Sequence, residues 1–216
     1  GIGRSGKIKP LVFDPKVNYN HTWKSSSEVH CTIDQYLVPG TSYKVKINPK
    51  IADLNGNLAV DSKLEGKVFQ APELSATTSF RAKKSGLKNT PIIPLMFNYD
   101  IEYSNAKDSI FFQDHDSGEK IRSIILLPTL NTKPSLKDSD IPKIGQSFSV
   151  QPSRPFPVNR RIDLIVDGIK DARTNSKIPY TKVFPLGVTK PLTIISSRAF
   201  HDIFGSMSIT INFDQN

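Results

Sequence analysis

Asp114-His115-Asp116 is the densest knot of potential chemistry in the sequence. Two carboxylates flanking an imidazole could hold a metal ion or share a proton in acid–base work. In an extended strand, however, Asp114 and Asp116 point to one side and His115 to the other. Ser117-Gly118-Glu119-Lys120 follows at once, so the tripeptide reads first as the tip of a β-hairpin, with an adventitious metal site as the alternative. His21, His30 and His201 have no ligand-like spacing. Glu28 and His30 fit on one face of a strand, which is common and implies no chemistry by itself. Gly205-Ser206-Met207-Ser208 lacks the Gly-x-Ser-x-Gly elbow of a hydrolase. Gly1-Ile2-Gly3-Arg4-Ser5-Gly6 has no strand before it, as a nucleotide-binding loop requires. The residues therefore predict a protein that is not an enzyme, with no catalytic group, no cofactor and no metal.

Binding chemistry is the next possibility. Trp23 lies near Tyr19 in a polar segment, Asn18 to Ser27, and the pair is a candidate platform for stacking on a carbohydrate. The competing reading is a core tryptophan packed between sheets. Cys31 is the only cysteine, which excludes an internal disulfide and a multi-cysteine metal site. The chain carries a net charge of +9, from 29 basic and 20 acidic residues. The densest basic runs, Arg81-Ala82-Lys83-Lys84 and Arg160-Arg161, are short and interleaved with acids, so a nucleic-acid partner is not expected. The longest apolar run, Ile124-Ile125-Leu126-Leu127, falls far below the roughly 20 residues of a membrane-spanning helix.

The elements that would position these residues are strands. Tyr43, Val45 and Ile47 alternate with Lys44, Lys46 and Asn48, which predicts a strand with one dry and one wet face. Pro39-Gly40-Thr41 is a turn before it and Asp53-Leu54-Asn55-Gly56-Asn57 a turn after it. The arrangement recurs: Ile162, Leu164 and Val166 alternate with Asp163, Ile165 and Asp167, and Asp171-Ala172-Arg173-Thr174-Asn175 follows. Upstream, Cys31-Thr32-Ile33-Asp34 matches Phe148-Ser149-Val150-Gln151, which places Cys31 facing inward. Asp53 and Asp171, at matching places, could attract Ca²⁺, but calcium needs six or more oxygens, so turn stabilisation is the expected role.

A third pattern is a strand that reaches Phe and then Asp or Asn: Leu11-Val12-Phe13-Asp14, Leu95-Met96-Phe97-Asn98 and Ile211-Asn212-Phe213-Asp214. It predicts Phe13 and Phe97 as corresponding core plugs. The exits Val68-Phe69-Gln70-Ala71-Pro72 and Val183-Phe184-Pro185-Leu186-Gly187 match as well, and each precedes a new alternating segment, Leu74 to Phe80 and Leu192 to Ile195. These repeats predict one unit over 7–73, a second over 74–189 with a longer polar loop near 128–142, and the start of a third, incomplete unit over 190–216. Short strands between turn signals predict an all-β fold of tandem antiparallel sandwiches. No segment shows a helical period, and Ile51 to Leu58 is expected to hold a helical turn at most.

A turn-entered strand, Val38-Pro39-Gly40-Thr41-Ser42-Tyr43-Lys44-Val45, followed by Asp53-Leu54-Asn55-Gly56-Asn57 and a Phe-led exit, resembles bacterial immunoglobulin-like domains of the Big_5 type. In the second unit Arg173-Thr174-Asn175 replaces the Asn-Gly-Asn turn, so its geometry there is open. Tandem copies of this kind resemble the macroglobulin domains in the N-terminal half of bacterial α2-macroglobulin-like proteins. That resemblance implies immunoglobulin-like sandwiches and a scaffold role in a broad-spectrum protease trap. The implied partners are the remaining domains of the same chain, with proteases as targets, in the periplasm or at the cell surface, or secreted. The thioester motif of that family, Cys-x-Glu-Gln, is not matched by Cys31-Thr32-Ile33-Asp34-Gln35. A binding module of a surface adhesin or polysaccharide-associated protein is the alternative, as is an accessory domain of a carbohydrate-active enzyme.

Overall fold

The structure is a computed structural model that describes residues 8–25, 27–52, 55–59, 67–82, 86–126, 144–191, 193–201 and 207–213. The fold is all-β, with antiparallel sheets and a single short helix among the described residues. Its contacts divide the chain into two units, Gly1–Glu73 and Leu74–Asn216.

In the first unit, β1 (Leu11–Asp14), β4 (Ser42–Ile47) and β5 (Val68–Gln70) form one sheet in the order β1-β4-β5. β2 (Tyr19–Trp23) and β3 (Val29–Ile33) form a separate hairpin. The core draws on both sheets: Phe13, Val17, Tyr19, Tyr43 and Ala71, with Cys31, Ile33, Val45 and Phe69 packed against them. β4 has the expected alternation, with Tyr43 buried while Lys44 and Lys46 face water. The Tyr43 ring stacks on Phe69, centroids 5.1 Å apart, and its hydroxyl accepts the Val38 N–H. Gly40, in the turn ahead of β4, takes φ +71°, a conformation in which a side chain is strained.

The second unit opens with β6 (Ala76–Thr77) and β7 (Ile93–Glu102). After α1 (Tyr103–Ser109) come β8 (Ile110–Asp114), β9 (Lys120–Leu126), β10 (Ile144–Pro152), β11 (Arg161–Val166) and β12 (Lys182–Val188). They form one sheet in the order β12-β11-β8-β9-β10-β7-β6. Isolated bridges, Ile101 to Asp171 and Leu87 to Thr189, join the β6/β7 end to the β11/β12 end, so the sheet curls back around its core. Ile93, Leu95, Phe97, Tyr99 and Ile101 point inward from β7, and Phe97 stacks on Phe148 of β10 at 5.4 Å. β13 (Ile194–His201) and β14 (Met207–Phe213) make a two-stranded sheet of their own.

Three expectations change. The helix lies at Tyr103–Ser109, not near Ile51, where Ala52 and Leu58 instead form an antiparallel bridge. Seven residues are too few to show a helical period, although Tyr103, Ala106 and Ser109 do share the buried face. β11 is buried on both faces, Asp163 and Ile165 included; only Arg161 is exposed along it. Phe13 and Phe97 do not hold corresponding places. Phe13 lies opposite Val45 on β4, whereas Phe97 lies opposite Ala76 on β6. The true counterpart of Phe13 is Phe112, which lies opposite Leu164 on β11. Strands β1 to β5 thus match β8 to β12 in order, with β6, β7 and α1 placed ahead of the second set. The loop near 128–142 and Asp53 fall outside the described residues.

Tyr43→Ala is expected to cost the first unit about 3–5 kcal/mol, as truncation of a buried aromatic does, and Lys44→Ala about 0.5 kcal/mol or less. Urea unfolding followed by Trp23 fluorescence measures both, and equal losses would contradict the alternation. In the second unit, a Cβ on Gly145 would overlap the Tyr103 hydroxyl. Gly145→Ala is therefore expected to cost about 1–3 kcal/mol, as overpacking does. Thermal melting should show part of that loss recovered in Gly145→Ala/Tyr103→Phe.

Candidate functional site

Among the described residues, the hairpin between β8 and β9 gathers three of the ion pairs: Arg160–Asp114, His115–Asp163 and Arg154–Glu119. Asp114 ends β8 on the side that faces the core, level with Ile162, and is almost wholly buried. A carboxylate there needs donors. Its Oδ1 accepts the N–H groups of Asp116 and Ser117, both at 3.0 Å, which fixes the turn. Its Oδ2 accepts Arg160 Nε at 2.5 Å. The Arg160 guanidinium, with those turn hydrogen bonds, lowers the Asp114 carboxyl to about 2 against the opposing effect of burial. Arg160 is raised in turn by Asp114.

His115 sits one residue on and turns the other way. Its Nδ1 lies 2.7 Å from Oδ2 of Asp163, which is itself buried on the opposite face of β11. The second carboxylate oxygen, Oδ1, is buried with no donor among the described residues. Arg154 pairs with Glu119 on the far arm of the hairpin. The site thus brings Asp114 and His115 onto two different partners rather than onto one metal or one proton. A histidine held at Nδ1 by a buried carboxylate leaves Nε2 outward, the posture of a general base. Among the described residues no hydroxyl or thiol bonds to that nitrogen, and no group of three or more His, Cys, Asp or Glu is placed to hold a metal ion. The sequence foresaw the turn but not its partners. Arg160 and Asp163 lie 46 and 48 positions away, and only the pairing of β8 with β11 brings them near.

The carbohydrate candidates separate. Tyr19 is buried, with its ring edge-on to Phe13 at 5.3 Å. Its hydroxyl accepts the Leu11 N–H at 2.6 Å and donates to the Leu11 carbonyl at 2.8 Å. Burial raises its pKa. Trp23 shares that face of β2, half-buried, opposite Val29. The two rings lie along one strand face, but Tyr19 offers no open surface for stacking. Cys31 packs against the same cluster, and burial pushes its thiol up, away from the thiolate that a reactive cysteine needs. His30 Nε2 meets Glu28 Oε1 at 3.0 Å with both exposed, a surface pair of small energetic weight.

Asp171 is a turn former. Its Oδ2 accepts Thr174 N–H at 2.7 Å and Thr174 Oγ1–H at 2.5 Å. Asn175 then takes φ +60°, the left-handed place that Gly56 fills in the first unit at φ +84°. Asn tolerates that region, so the changed sequence keeps the turn. Beside it, a polar cleft of about 430 Å³ runs along α1, lined by Glu102, Ser104, Asn105, Asp108 and Lys170. Asn105 Oδ1 accepts the Lys170 N–H at 2.9 Å and sets one wall.

The class that fold and site define is an all-β protein of antiparallel sheets with a charged hairpin tip. In comparisons with known proteins, no family model matches the chain and no curated protein matches it. No described helix is long and apolar enough to cross a membrane.

The native state holds the Asp114 proton less tightly than the unfolded chain does, so its stabilisation is whole above about pH 4 and is lost as the pH falls towards 2. Arg160→Met should weaken the second unit at pH 7, because it leaves the buried Asp114 carboxylate without its charged donor. It should also flatten the pH dependence between 4 and 2. Denaturant melts across that range measure both effects, and an unchanged slope would remove Arg160 from the role given to it.

Proposed function

We propose that the chain is a non-catalytic structural part of a larger bacterial protein that works outside the cytoplasm, with its β units serving as scaffold. The observation that carries this reading is the strand order used twice, β1 to β5 and again β8 to β12, each with Phe opposite an aliphatic residue of the central strand. Reusing one frame in succession extends a scaffold without requiring a reactive group in either copy. The specific form suggested by the sequence resemblance is the N-terminal half of an α2-macroglobulin-like protease trap. In that role the units would shape the cage, with the remaining domains as partners and proteases as targets. Support comes from the turn-entered strand at Val38–Val45 and the paired left-handed turns at Gly56 and Asn175. The unequal places of Phe13 and Phe97 remove one element of the resemblance.

The test uses the intact parent protein. Incubated with an endopeptidase, it is expected to retain the protease in a high-mass fraction that still cleaves small peptides but spares protein substrates. Protease eluting free and fully active on proteins would reject the trap. Glycan-array binding that disappears in Trp23→Ala would instead favour the adhesin reading.

A further inference from the structure

The β13–β14 hairpin has a mainly apolar face and a mainly polar one. Cross-strand pairing puts Ala199 beside Ile209 and Ile194 beside Phe213, so Met207, Ile209, Ile211 and Phe213 share one face with them. The other face carries Ser196, Arg198, Ser208, Thr210 and Asn212 around one exposed aromatic, Phe200, over whose ring Arg198 lies; Asn212 Nδ2 donates to Ser196 Oγ at 2.9 Å. The apolar face is bare: Met207, Ile209, Ile211 and Phe213 are 71%, 65%, 45% and 42% exposed. A two-stranded sheet with an uncovered apolar face is marginal in water.

The second unit contains the same element in a finished state. There Leu74-Ser75-Ala76 leads β6 onto β7 with Ala76 opposite Phe97. The sequence Leu192-Thr193-Ile194 has the same pattern, and Ile194 lies opposite Phe213 of β14. In this register Ile209, Ile211 and Phe213 fall on Ile93, Leu95 and Phe97. Those three are 0%, 0% and 4% exposed, because β10 pairs with the free edge of β7 and Phe148 covers Phe97. The same edge of β14 has no strand partner among the described residues.

We propose that β13–β14 is a strand acceptor, and that its occupant is the β10-equivalent strand of a further copy of the unit in the same polypeptide. The register of β10 on β7 sets Phe148 opposite Leu95 and Val150 opposite Ile93. The added strand therefore places a large apolar residue opposite Ile211 and another, two positions on, opposite Ile209. A second copy of this chain is a poorer occupant. A seven-residue strand pair presents a face roughly 24 Å by 10 Å, well short of the ~800 Å² per partner of a stable interface. Face-to-face packing would also leave the β14 edge amides unpaired, whereas an added strand satisfies them and brings cover with it.

The test supplies the strand in trans as a peptide with the sequence Ile144 to Pro152, IGQSFSVQP, added to the 216-residue chain. Amide exchange over 207–213 is expected to slow by about tenfold or more at saturating peptide, as linkage requires. The same peptide with Asp in place of its Phe should give no slowing. Ile211→Asp in the chain should abolish the effect while the second unit's melting temperature stays unchanged. No slowing, or slowing that survives Ile211→Asp, overturns the proposal. So does a dimer in sedimentation that dissociates on that substitution, because it would make the second copy the occupant.

Discussion

Both units depend on register. Phe13 must fall opposite Val45, and Phe112 opposite Leu164, for the dry face of each strand pair to close over a core. A slip of one residue would turn every side chain of a strand to the other face. In β4 such a slip would bury Lys44 and Lys46 and expose Tyr43, so the alternation enforces its own register. β11 has no such guard from apolar residues, since Ile162, Leu164 and Val166 face one way and Ile165 the other, all buried. Its register is marked by Asp163, whose carboxylate reaches His115 in only one alignment of β8 and β11. A misaligned pairing would leave the buried Asp163 carboxylate without that hydrogen bond, which costs far more than the bond contributes in the native register. The charged hairpin tip is thus as much a device for aligning strands as a site.

What the sequence disclosed follows the same physics. Where one face is wet and the other dry, period two is visible in the sequence and marks the strand, as in β4. Where both faces are covered, as in β11, alternation carries no signal, and the carboxylate at 163 looked like a solvent-facing residue. The helix at Tyr103–Ser109 was hidden by its length. The matched strand ends at Phe13 and Phe97 misled because Phe followed by Asp or Asn reports only a local event, an inward ring and then a turn former. Place in a sheet is set by partners far along the chain, which a short motif does not encode.

The site shows the same boundary. Asp114 as a turn former was legible, because Ser117 and Gly118 lie within the same few residues. The arginine and the aspartate that complete the tip were not, since they come from β11 and the residue just before it. Tyr19 and Trp23 illustrate the converse. Four positions apart on β2, they do share one strand face. Which face that was depended on β1, whose Leu11 takes both hydrogen bonds of the Tyr19 hydroxyl and draws the ring into the core.

The two halves of the second unit differ in what they require. β8 to β12 repeat the order found in the first unit, where the described residues β1 to β5 build a core with no counterpart of β6 and β7. The frame is therefore the self-sufficient part, and the opening strand pair is an addition to its edge. An addition of this kind gains its stability from the frame: β7 becomes buried only because β10 hydrogen-bonds along it and Phe148 stacks on Phe97. β13–β14 has the sequence, the register and the amphipathic faces of that addition, without a described frame beside it. Its exposed isoleucines follow from that one missing relation. A sheet edge left open in this way pairs readily with any strand of suitable pattern, so covering it early would protect the whole chain from association through its weakest element.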